Sequence, residues 1–67
     1  MAKLVSAPLL EPPLAWREPM LLVYPHGGSA RFDPRDRFFR PGDVLNGYVI
    51  DRFELDGETV LAFLRVR

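Results

Sequence analysis

A chain of 67 residues with no cysteine and one histidine excludes a disulfide framework and the usual zinc patterns. Nine basic and nine acidic side chains cancel, so no overall field draws the protein to nucleic acid or to an anionic membrane. At 48% hydrophobic the chain has the composition of a folded protein, although so short a chain buries only about 60% of its unfolded surface.

That shortfall makes a protein partner or self-assembly a reasonable source of further stability. Residues 1–19 point the same way. They carry Pro8, Pro12, Pro13 and Pro19 among Leu4, Val5, Leu9, Leu10, Leu14 and Trp16. Proline fixes φ and lacks a backbone donor, so the segment suits neither a helix nor a central strand. Disordered tails are poor in large apolar groups, and this stretch therefore reads as an extended arm, lying either on a partner or back over its own hairpin. Lys3 ahead of Leu4 and Val5 resembles the start of a signal peptide, but Ser6 and Pro8 cut the apolar run, and none is expected. No stretch approaches transmembrane length, so membrane insertion is not expected.

From residue 20 a small β domain is predicted. Met20 to Tyr24 is a short apolar run between Pro19 and Pro25, which favours a buried strand. Residues 25–29, with Gly27 and Gly28, form a loop. In the middle segment Asp33-Pro34 has the pattern of a helix N-cap and first turn, Asp36 and Arg40 match the dipole, and Pro41-Gly42 ends it. One helical turn is expected there, with Phe38 and Phe39 plugging the open end of the sheet.

Residues 44–67 carry the clearest signal. Asp56-Gly57 lies between two β-rich runs, as in a two-residue hairpin. With Leu55 opposite Glu58, Phe53 faces Val60, Asp51 faces Ala62, Val49 faces Leu64 and Gly47 faces Val66. On the other face Glu54 meets Thr59, Arg52 meets Leu61, Ile50 meets Phe63 and Tyr48 meets Arg65. Large apolar groups fall on both faces: Phe53, Val60, Val49 and Leu64 on one, Ile50, Phe63 and Leu61 on the other. A hairpin with water on one side alternates cleanly, so this one is expected to be covered on both, by its own fold and by the arm or a neighbour. Only Asp43, Val44 and Leu45 separate Asn46-Gly47 from Gly42, and a bulge at Asn46-Gly47 is expected in preference to a second tight turn.

Candidate chemistry is sparse. His26, Ser29 and Asp33 or Asp36 have the residue types of a hydrolytic triad, but a short glycine-rich loop rarely holds three such groups face to face. The same residues are too few for a hard cation. Gly27-Gly28-Ser29 lacks the spacing and the lysine of a phosphate-binding loop. No catalytic residue, cofactor or metal site is expected. Arg31, Arg35, Arg37 and Arg40 interleave with Phe32, Phe38 and Phe39, a mixture suited to single-stranded nucleic acid. Asp33, Asp36 and Asp43 offset that charge, and a salt-bridged turn whose phenylalanines serve the core is the preferred reading.

The sequence thus predicts an all-β fold, a small barrel or sandwich-like sheet of four to five short strands with one helical turn and a proline-rich arm. It suggests a non-catalytic accessory subunit of a larger assembly, cytoplasmic or virion-borne, of which a phage decoration or connector protein is an example. The expected partner is another protein or a second copy, held by Leu10, Leu14, Trp16, Leu61 and Phe63. The alternative is a nucleic-acid-binding barrel using Arg31, Arg35, Arg37, Arg40, Phe38 and Phe39.

Overall fold

Alternate residues of the apolar run beginning at Met20 go to opposite sides. Met20 and Leu22 are buried while Leu21 and Val23 are half-buried, which is the period of a strand (β1, Met20–Val23). The computed structural model describes residues 11–67. The remaining strands are β2 (Ser29–Phe32), β3 (Val44–Leu45), β4 (Tyr48–Asp56) and β5 (Thr59–Val66). They form one curled, half-barrel sheet in the order β2-β1-β5-β4-β3, and no helix occurs among the described residues. Every neighbouring pair is antiparallel except β1 and β5, which run parallel. The concave face holds Met20, Leu22, Leu45, Ile50, Phe53, Val60, Ala62 and Leu64, with Phe39 laid over them.

The hairpin between β4 and β5 turns on Gly57-Glu58 rather than on Asp56-Gly57, because Asp56 pairs with Thr59. Gly57 takes the first turn position at φ 64°, as in a type II′ turn. Leu55 therefore meets Val60 instead of Glu58, an apolar cross-strand pair in place of a mismatched one. Each partner moves by two residues, so in this half of the hairpin the faces stay as the sequence predicts.

Beyond it they do not. A bulge at Asp51 separates the pair Ile50–Leu64 from the pair Arg52–Phe63. One extra residue inverts the alternation, so Ile50 joins Phe53 in the core with no exposed surface, and Val49 goes to the other side. Asn46-Gly47, where the sequence suggested the bulge, is the second tight turn. Asn46 at φ 53° and Gly47 at φ 85° make a type I′ turn, and Leu45 pairs with Tyr48 across it. The short strand before it suffices because pairing continues past Val44: Gly42 N–H donates to the Ile50 carbonyl and Ile50 N–H to the Asp43 carbonyl, at 2.8 and 2.9 Å.

The expected helical turn at Asp33-Pro34 is also absent. Asp33 does accept a backbone hydrogen bond, from Arg35 N–H at 3.0 Å. Arg35 and Asp36 then adopt φ 55° and 73°, and the chain reverses at residues 34–37 instead of winding on. That reversal returns Phe39 to the core, where its ring meets Phe32 edge-on. β2, Ser29-Ala30-Arg31-Phe32, has no strand signature of its own and forms because β1 offers it an edge.

Candidate interaction surface

The strand alternation that buries one side of β1 and β5 presents the other side as a second, partly apolar face. Leu21, Val23, Leu61 and Phe63 are each half-buried, and none belongs to the core cluster or packs against it. Cross-strand register places them in two rows. The first runs across β2, β1, β5 and β4 as Arg31, Leu21, Leu61, Glu54. The second runs Ser29, Val23, Phe63, Arg52. Two of the five residues expected to bind a partner, Leu61 and Phe63, are thus brought together on one face.

Charge borders this face. The Arg52 guanidinium lies 4.3 Å from the Phe63 ring centroid and pairs with Glu54 and, at 2.8 Å, with Asp51. Hydrogen bonds from Arg52 to Glu54 first and Asp51 second stabilise the cation and raise its pKa further above the ordinary arginine value. Arg65 reaches Asp51 at 3.5 Å. At the far end, a shallow cleft of about 420 Å³ is lined by Pro19, Met20, Leu21, Arg31, Glu58 and Thr59.

The remaining predicted contacts lie elsewhere. Trp16 is tied to its own domain: its N–H and carbonyl bond to the carbonyl and N–H of Phe39, both at 2.9 Å, and its half-buried ring packs on the core. Leu14 is 87% exposed, and Leu10 lies outside the described residues.

The arginine–phenylalanine segment divides. Phe39 is buried under Arg37, whose guanidinium sits 4.6 Å from its ring centroid, whereas Phe38 is 51% exposed with Arg17 at 5.1 Å. Arg31, Arg35, Arg37 and Arg40 make no ion pair among the described residues, so the expected salt-bridged turn is not what holds the segment. The carboxylates of Asp33 and Asp43 instead accept backbone N–H groups, of Arg35 and Arg40.

In the loop after β1, His26 stacks on Tyr24 with ring centroids 5.3 Å apart, and its Nδ1 accepts Gly28 N–H at 3.1 Å. Among the described residues no three His, Asp or Glu side chains are grouped to hold a metal ion, and no helix is long and apolar enough to cross a membrane. Comparison with protein-family models, curated proteins and solved structures gives no match. Sequence reasoning missed Leu21 and Val23 as part of the surface, because nothing local marks a parallel pairing of β1 with β5. It also missed Arg31 and Glu54 as its flanks.

Proposed function

We propose that this protein is a non-catalytic interaction module, an accessory subunit that joins a larger protein assembly through the outer face of its sheet. Packing of Leu21, Val23, Leu61 and Phe63 side by side across β1 and β5, outside the core, is the observation that carries this reading. Apolar groups that a monomer leaves half-covered, rimmed by charge, are the composition of a protein interface. A virion component, such as a phage decoration or connector protein, is the kind of assembly that fits a chain of this size. Leu14 adds an exposed contact ahead of the sheet.

The nucleic-acid alternative has weaker support. Its unpaired arginines favour it, but Phe39 is buried and one ring face of Phe38 is taken by Arg17, which leaves little platform for stacking bases. Purification of the tagged chain and of Leu61→Lys from the native source separates the two. The proposal expects a protein partner that the variant loses. Recovery of an oligonucleotide instead, released by salt and abolished by Arg35→Gln with Arg37→Gln, overturns it.

A further inference from the structure

We infer that the outer sheet face pairs with the same face of a second copy of this chain, about a two-fold axis running parallel to β1 and β5. The inference rests on the reading of that face as a protein interface and names its partner. It comes from the order of residues across the sheet. Arg31, Leu21, Leu61 and Glu54 stand in one row on β2, β1, β5 and β4: a cation, two leucines and an anion. A two-fold axis along the strands, over the seam between β1 and β5, exchanges the two sides of the row while keeping its height. Arg31 then lies over Glu54 of the second copy, and Leu21 lies over Leu61 of the second copy. The neighbouring row behaves likewise, setting Val23 over Phe63 and Ser29 over Arg52.

The same residue pair forms twice, which is the signature of an isologous contact. An axis across the strands instead sets β2 over β2 and β4 over β4, and offers Arg31 no carboxylate. Glu54 already binds Arg52, but a carboxylate has about four acceptor sites, enough for a second arginine. Four strands at ~4.8 Å make a face only about 20 Å wide, so the dimer belongs with the small interfaces.

Sedimentation equilibrium of the full chain, from micromolar to millimolar concentration, reads the dimer directly. Arg31→Glu sets two pairs of like carboxylates together, and Glu54→Arg sets two pairs of arginines together. Each is expected to weaken self-association at least about tenfold. An equimolar mixture of the two variants restores both attractions and recovers association. Arg31→Gln and Glu54→Gln, which remove charge with little change of shape, give a smaller loss of the same sign if a swap disturbs the circular dichroism. A native chain that stays monomeric throughout, or a dimer that neither swap weakens, overturns the inference. A monomeric chain that still loses a different protein partner on Leu61→Lys refutes self-pairing alone and leaves the interface reading standing.

Discussion

The hydroxyl of Tyr24 accepts a hydrogen bond from the side-chain amide of Asn46 at 3.1 Å, and its ring meets Tyr48 edge-on with centroids 5.2 Å apart. Tyr24 follows β1 and Asn46 opens the turn into β4, so this contact reaches past the intervening β5 and helps the sheet to curl. Asn46 is there as a turn residue that tolerates φ > 0, and the turn aims its amide at the tyrosine. One turn therefore sets both the β3–β4 register and part of the curl.

Gly57 tests the hairpin assignment. Its φ of 64° suits glycine, while a Cβ added there meets nothing within 4 Å, so substitution acts through the backbone alone. Gly57→Val is expected to cost about 2 kcal/mol, because a branched residue resists positive φ. Gly57→Asn should cost less, since asparagine follows glycine among the residues found at the positive-φ position of such turns. Thermal melts give the ranking, and equal melting of both variants with the parent refutes the turn geometry.

Trp16 is the chain's single tryptophan, so its fluorescence reports its surroundings without ambiguity. Packed on the core and bonded to Phe39, it should emit to the blue of free tryptophan in dilute solution of the isolated protein. Trp16→Ala is expected to destabilise the domain by about 2 kcal/mol, below the usual cost for a fully buried tryptophan. Red-shifted emission with an unchanged denaturation midpoint contradicts the docking on Phe39.

Deleting Asp51 removes the bulge and should turn Tyr48 and Ile50 out of the core together. The loss expected is above ~3 kcal/mol, enough to unfold so small a domain. Asp51→Ala keeps the residue count and gives up only exposed ion pairs, for a cost within about 1 kcal/mol. Urea titration followed by circular dichroism distinguishes the two, and comparable stabilities mean that the extra residue does not set the faces.

The predicted class of fold is present because alternation and turn chemistry are local. The runs at 20–24 and 48–66, and glycine at 57, specify strands and a reversal on their own. The bulge at Asp51 left no such mark: with both faces of the hairpin expected to be covered, nothing forced Ile50 and Phe53, three residues apart, onto one face. Asp33-Pro34 misled because a helix cap and a β-turn begin with the same hydrogen bond, and the path of the chain after it depends on where Phe39 must go. The candidate surface was half legible. Leu61 and Phe63 show themselves as apolar groups on the wrong side of a hairpin, whereas Leu21, Val23 and Arg31 join them only once β1 lies beside β5.

That parallel seam also orders the assembly of the molecule. β3, β4 and β5 form an antiparallel meander whose contacts are near in sequence, so it closes early and at small entropic cost. Leu21 meets Leu61 only after nearly the whole intervening chain has been looped back. Until then β5 has a bare edge along its length, flanked by Leu61 and Phe63. A nascent chain of this protein is therefore most exposed to mispairing with its own kind while the first strand waits to dock, and β1 is its natural guard against aggregation.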